Sequence, residues 1–187
     1  MRIRLFNLFL VIAMMAIVFS SCKKTTDQIL RQQEVTWLAK YIAKYYPNIK
    51  PKSSGLYFIE TKAGSTNPAD TIKVGDMVKV FYKGYLITDD PVNGIEEGTE
   101  FDTSGDFEPF SFTVGAGSVI AGWDEGMTYM KDSSEAKLII PSRLAYSSQQ
   151  QSKIPQYSTL VFYIRIYKVY RSTDVWPTIE IHPQSSN

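Results

Sequence analysis

Strand-length segments, the two longest with apolar side chains at a period of two, recur within residues 55–171, and they constrain the fold more than any other feature. Met77 to Ile87 sets Val78, Val80, Tyr82 and Leu86 on one face, with Lys79 and Lys83 on the other, the pattern of a half-buried strand. Leu160 to Tyr170 repeats it with Leu160, Phe162, Ile164 and Ile166. Leu56–Glu60, Phe110–Val114 and Ala136–Ile140 read as shorter strands, the last stopped by Pro141. Thr88 to Glu100 reads as a long loop in which the adjacent Glu96 and Glu97 face water. Only Ala121 to Met130 changes period. There Trp123, Met127 and Met130 recur at i, i+4 and i+7, a stripe that has to lie on the sheet. One helix among strands implies an α+β fold, with a bent antiparallel β-sheet around one short α-helix, not a doubly wound one.

Residues 1–21 follow a different logic. Arg2 and Arg4 precede an apolar run from Leu5 to Phe19, broken only by Asn7; at about 15 residues it is shorter than the ~20 a spanning helix needs. Ser20 and Ser21 then precede Cys22, the only cysteine. The layout is that of a secretory signal, and the small residues before the cysteine resemble a bacterial lipobox, with Phe19 where leucine is commoner. Cys22 has two readings: a residue acylated after cleavage, or a free buried thiol. Its place between a signal and a polar stretch favours acylation, and diacylation supplies the two anchoring signals that stable attachment to a lipid bilayer takes. The expected location is the cell envelope, lipid-anchored at the periplasm-facing outer membrane rather than the cell surface.

Thr26 or Asp27 can cap a helix that runs to about Tyr46 and stops at Pro47. Leu30, Trp37, Leu38, Tyr41, Ile42 and Tyr45 fall at helical spacing, which makes this N-terminal helix amphipathic. Its apolar face is expected to pack on the domain that follows; homodimer formation through residues 27–46, or holding of unfolded clients, are competing uses. Asn48 to Gly55 reads as a linker. The chain thus divides into a signal (1–21), a helix with linker (22–54), a main domain (55–171) and a tail (172–187).

Composition removes several functions. A formal net charge of +1, from 20 basic and 19 acidic side chains, offers no basic excess for nucleic acid. With one histidine and one cysteine, disulfide frameworks and multi-ligand metal sites lack parts, so no metal and no other cofactor is expected. Gly115-Ala116-Gly117 followed by Gly122 has neither the spacing nor the βαβ setting of a dinucleotide loop. Ser134-Glu135-Ala136-Lys137 spells an acylating S-x-x-K motif, but its companion motifs are absent and Lys137 begins a strand. His182 has no nucleophile to serve. What stands out is 13% aromatic content, suited to strands and an apolar pocket.

The segments VKVFYKGYL (78–86), FDTS (101–104), PFSFTVGAGSVIAGWDEGM (109–127), AKLIIPSRLAYS (136–147) and IPQYSTLVFYIRIYKV (154–169) occur in that order. Together they resemble the FKBP-type peptidyl-prolyl cis/trans isomerases, most specifically in the run from Val119 to Gly126. The resemblance implies a half-barrel sheet wrapped around the short helix, with a pocket between them that takes proline-containing polypeptide clients. It implies Trp123 as the floor for the proline ring, and Tyr82, Phe101 and Phe162 as an aromatic wall around the preceding carbonyl. The Ile120 N–H and Tyr146 hydroxyl would hold substrate carbonyls, Asp102 would sit on the polar rim, and Phe110, Val119 and Ile154 would complete the surface. The residues alone also allow Asp102 a turn-forming role, and Phe110, Val119 and Phe162 plain core packing. A non-catalytic chaperone or partner-binding module, using the same pocket and the N-terminal helix, is the second reading. Ser133 and Ser147 stand where the family often has glycine, Lys153 where it often has an apolar residue, and the 88–100 stretch is longer than in compact members.

Overall fold

The computed structural model describes residues 25–173; the signal segment, Cys22, and the tail from Asp174, with His182, lie outside them. Six antiparallel strands form one open sheet: β1 (Tyr57–Lys62), β2 (Met77–Asp90), β3 (Gly94–Thr103), β4 (Phe110–Thr113), β5 (Glu135–Ile140) and β6 (Leu160–Tyr170). Their order is β1-β5-β6-β2-β3, with β4 beside β2. β2 organises the sheet. One edge pairs with β6 along its length, while the other is shared, Met77–Val80 with β4 and Lys83–Asp90 with β3. Register shifts after Lys79 and around Tyr85 interrupt the ladder, and such bulges bend a strand and increase its twist.

Two helices cover the two faces. α2 (Ala121–Met127) lies on one, where Trp123 and Met127 meet a core containing Val78, Val80, Leu138, Ile140 and Leu160. Met130 lies beyond its end but stays in the stripe, because Thr128, Tyr129 and Met130 each donate a backbone bond three residues back and tighten the last turn. The helix sits directly on β5: a Cβ on Gly122 would fall 2.4 Å from Ile140 Cγ2, and one on Gly126 would fall 2.5 Å from Leu138 Cδ1. A larger residue at either place would push the helix off the sheet.

α1 (Thr26–Tyr45) covers the opposite face. Tyr41 is buried with Ile87, Ile95, Ile139 and Val161, and Trp37, Leu38 and Ile42 pack around them. The apolar face of the helix therefore lies on its own sheet, as the packing expectation has it, although Tyr45 is 43% exposed. The cap falls one residue before the expected pair: Thr25 Oγ1 accepts from the Gln28 N–H and the Gln28 side chain accepts from the Thr25 N–H, a reciprocal capping box. The expected linker is in part a packed turn, in which the Gly55 N–H donates to the Lys52 carbonyl and Ser54 donates to Glu125 of α2.

The largest correction concerns residues 88–100. They are not a loop but the outer half of a β-hairpin, in which Asp90 pairs with Gly94. Asp90 Oδ1 accepts from the Val92 and Asn93 N–H groups, an Asx-type turn that reverses the chain. Glu97 is accordingly only partly exposed. It accepts from Lys137 at 2.6 Å and from Tyr163 at 2.8 Å, and also from the Tyr41 hydroxyl of α1.

Both serines that stand where glycine is common adopt left-handed backbone, Ser133 at φ 63° and Ser147 at φ 53°. Such a conformation costs an L-residue roughly 1–2 kcal/mol that glycine largely avoids. Ser133→Gly, remote from the aromatic hollow described below, is expected to stabilise the chain by about 1 kcal/mol, readable as a higher urea midpoint with unchanged slope. An unchanged or lower midpoint would show that the serine carries no strain.

Candidate functional site

Every strand from β2 to β6 except β5, together with α2 and two loops, contributes to one hollow of about 170 Å³. Tyr82 comes from β2, Phe101 and Asp102 from β3, Phe110 from β4 and Phe162 from β6. Ser118, Val119 and Ile120 lead into α2, which supplies Trp123, and Tyr146 comes from the loop after β5. Nine of the ten residues expected to form the site thus line one cavity. Ile154 does not: it is buried behind the wall, in the core that Trp123 and Phe162 also join. Ser118 lines the hollow and was not anticipated, since a serine in a glycine-rich loop carries no pattern of its own.

The rings are set edge against face. The Trp123 centroid lies 5.0 Å from Tyr82, 5.1 Å from Phe162, 5.6 Å from Phe112 and 6.2 Å from Phe110, mostly at steep interplanar angles. Phe101 meets Phe162 at 5.4 Å and 87°. Edge-to-face pairs of this kind suit the aromatic quadrupole and lock one another in place. Exposure is graded across the site. Trp123 and Phe162 are 4% and 5% exposed at the bottom, whereas Phe110 is 41% exposed at the rim and Asp102 faces solvent. An apolar cavity of ~150 Å³ accommodates one benzene ring, so this hollow has room for a five-membered pyrrolidine.

The few polar groups are fixed from behind. The Tyr82 hydroxyl donates to Asp102 Oδ2 at 2.8 Å, while Asp102 Oδ1 accepts from the Thr103 N–H at 2.9 Å. Burial, then the bond to Asp102, holds Tyr82 well above the usual phenol range, and burial followed by the Asp102 charge raises Tyr146. Both remain O–H donors at neutral pH. Asp124 accepts from the Gly115 and Gly117 N–H groups at 2.8 and 3.2 Å, which ties the glycine turn to α2 and so sets the Ser118–Ile120 wall. Among the described residues no acceptor meets the Ile120 N–H, and the buried Trp123 Nε1–H has no hydrogen-bond partner either. A buried donor left unpaired costs roughly 1–3 kcal/mol, a pattern more at home in a binding site than in passive core. No group of three histidine, cysteine or acidic side chains fit to hold a metal occurs among the described residues.

Comparison with known proteins gives the family. The family model for FKBP-type peptidyl-prolyl cis-trans isomerase matches residues 69–167. The human peptidyl-prolyl cis-trans isomerase FKBP2 is 40% identical over 103 residues, covering 54% of this chain and 66% of that protein. The FK506-binding protein of Neisseria meningitidis serogroup C is 42% identical over 98 residues, or 51% of this chain and 82% of the relative. A solved peptidyl-prolyl cis-trans isomerase from Pseudomonas syringae pv. tomato superposes with a TM-score of 0.61 at 25% identity, over 80% of this chain and 99% of that one. The chain belongs to the FKBP-type peptidyl-prolyl cis-trans isomerase family. It spans about two thirds of the human relative's length, and α1 lies outside the region the family model matches.

Proposed function

We propose that this protein catalyses cis/trans isomerisation of X–Pro bonds in exported polypeptides, in the hollow floored by Trp123, while held to a bilayer through an acylated Cys22. The observation that carries the catalytic part is the convergence of Tyr82, Phe101, Phe110, Trp123 and Phe162 on one ring-lined cavity with an acidic rim. The reaction needs nothing else. Its barrier of ~18–20 kcal/mol comes from amide resonance, which places charge on the carbonyl oxygen. Water stabilises that planar, polar form; a ring-lined cavity removes the water and favours the twisted, less polar amide. Removing ~5 kcal/mol of barrier accelerates exchange several thousand-fold. In this reading the proline ring rests on Trp123, the Ile120 N–H and the Tyr146 hydroxyl hold the flanking carbonyls, and Tyr82 with Asp102 closes the polar side.

The full chain is expected to accelerate exchange of a Xaa-Pro peptide well beyond the uncatalysed scale of tens to hundreds of seconds, followed by exchange spectroscopy or protease-coupled cleavage. Peptide binding by the folded chain without acceleration would favour the non-catalytic module and overturn the enzymatic reading. The location rests on Cys22, which follows an apolar run and two serines. Cys22→Ala, expressed with its leader, is expected to move from the membrane fraction to the soluble one. Retention in the membrane fraction would rule out acylation as the anchor.

A further inference from the structure

We infer that α1, which lies outside the family-matched region, is part of the isomerase site's scaffold, and that Glu34 is a positioning residue for the loop that carries Tyr146. The inference rests on the reading of the hollow as the catalytic pocket. Glu34 is far from the chain ends of that loop in sequence, yet its carboxylate is spent entirely on it. Oε1 accepts from the Ser142 N–H at 2.6 Å and from the Thr159 hydroxyl at 3.2 Å, and Oε2 accepts from the Ser142 hydroxyl at 2.7 Å. Ser142 and Thr159 are 4% and 5% exposed and Glu34 is half-buried, so the bonds run from a partly covered carboxylate to two buried partners.

What makes the contact bear on the pocket is the next link. The Ser142 carbonyl accepts from the Ala145 N–H and the Ser147 N–H, both at 2.8 Å, and those residues flank Tyr146. The Ser147 carbonyl in turn accepts from the Tyr157 N–H at 2.8 Å, and the Arg31 guanidinium, one helical turn before Glu34, lies 4.7 Å over the Tyr157 ring. Two adjacent turns of α1 therefore grip both stems of the segment that presents Tyr146. Ser147 and Tyr157 both carry left-handed backbone, at φ 53° and 56°, a shape the loop does not hold by local preference. Glu34 holds Ser142, Ser142 holds both neighbours of Tyr146, and Tyr146 borders the hollow.

The experiment compares the full chain with Glu34→Ala and Glu34→Gln, measuring KM and kcat on one Xaa-Pro peptide. Lys40→Ala, which removes an exposed pair with Asp89 on the same helix, serves as reference. Glutamine can keep all three bonds, since its oxygen accepts the Ser142 N–H and Thr159 hydroxyl while its amide donates to a rotated Ser142 hydroxyl. Glu34→Ala is expected to raise KM about tenfold with kcat changed far less, because a displaced Tyr146 loses a binding contact while the Trp123 floor stays intact. Glu34→Gln and Lys40→Ala should stay within about twofold of wild type. Ser142→Ala, which deletes the hydroxyl from the loop side, should move KM in the same direction as Glu34→Ala and supplies the readout if that variant fails to fold. An active wild type with unchanged KM in Glu34→Ala and Ser142→Ala overturns the positioning role. Equal losses in Glu34→Gln and Glu34→Ala also overturn it, since geometry would then not be what Glu34 supplies. A wild type with no isomerase activity refutes the pocket reading instead, and the two failures are distinct.

Discussion

Trp123→Leu is expected to lower kcat/KM for a Xaa-Pro peptide by about 100-fold, a loss of about 2.7 kcal/mol of transition-state stabilisation. The indole is the one ring in contact distance of Tyr82, Phe110, Phe112 and Phe162 together, so its removal opens the bottom of the hollow to water. Water there restores hydration to the planar amide and gives back part of the barrier the cavity removes. Because Trp123 is 4% exposed, the substitution also costs stability, roughly 2–4 kcal/mol for a large-to-small core change. Met127→Ala separates the two effects. Met127 is fully buried in the same core but does not line the hollow, so it should lose comparable stability and keep kcat/KM within a few-fold. Both variants are assayed where circular dichroism shows the folded state. Equal activity losses in the two would refute the floor assignment, and full activity in Trp123→Leu would refute the desolvation mechanism itself.

Much of this site was legible because the pocket residues sit at fixed offsets within strands and around one short helix. Tyr82 shares the inward parity of Val78 and Val80, and Phe162 that of Leu160 and Ile164, so a period of two already points these rings to one side. β3 was not legible for a physical reason. Ile95 and Phe101 are an even number of residues apart, yet one packs under α1 and the other against Phe162. Extra residues at the register shifts opposite Tyr85 break the strict alternation, and with it the only strand signal the segment carries. The Asn93-Gly94 dipeptide was the available turn cue. Glu97 was misplaced for the same reason: a carboxylate reads as exposed unless its buried partner is known, and Lys137 lies 40 residues away in sequence. Glu34 was invisible on similar grounds, since its partners Ser142 and Thr159 are more than a hundred residues downstream. Local pattern reports which way a side chain points; it does not report who is waiting there.

Glu97→Ala is expected to destabilise the fold by about 3–5 kcal/mol, because it strands the Lys137 ammonium without a counter-charge. The Lys137 side chain is 6% exposed, packed against the Tyr163 ring at 4.3 Å and the Tyr46 ring at 5.1 Å. Burial alone would lower its pKa, but the bonds to Glu97, Tyr163 and Tyr46 outweigh that and raise it, so the lysine stays charged across the neutral range. Burial likewise opposes the charge on Glu97, and Lys137, Tyr41 and Tyr163 together pull its pKa below the usual carboxylate value. A depressed carboxylate contributes stability that is present above its unfolded pKa of about 4.3 and is lost as pH falls through the folded value. The raised lysine contributes below its unfolded pKa of about 10.4 and loses that contribution only in stronger alkali. Wild type should therefore outlast Glu97→Ala by a near-constant margin between about pH 5 and neutrality, with the gap closing in acid and narrowing in alkali as the stranded lysine, its pKa lowered by burial, gives up its proton. Lys137→Met combined with Glu97→Met should recover most of the loss, since a buried pair replaced by apolar side chains of similar size is often neutral. The comparison is made by urea titration at several pH values. Because Tyr41 donates to Glu97 from α1, hydrogen exchange in Thr26–Tyr45 should rise first in the single variant. Additive single losses in the double variant, or a margin that persists unchanged below pH 3, would show that the pair does not hold α1 to the sheet.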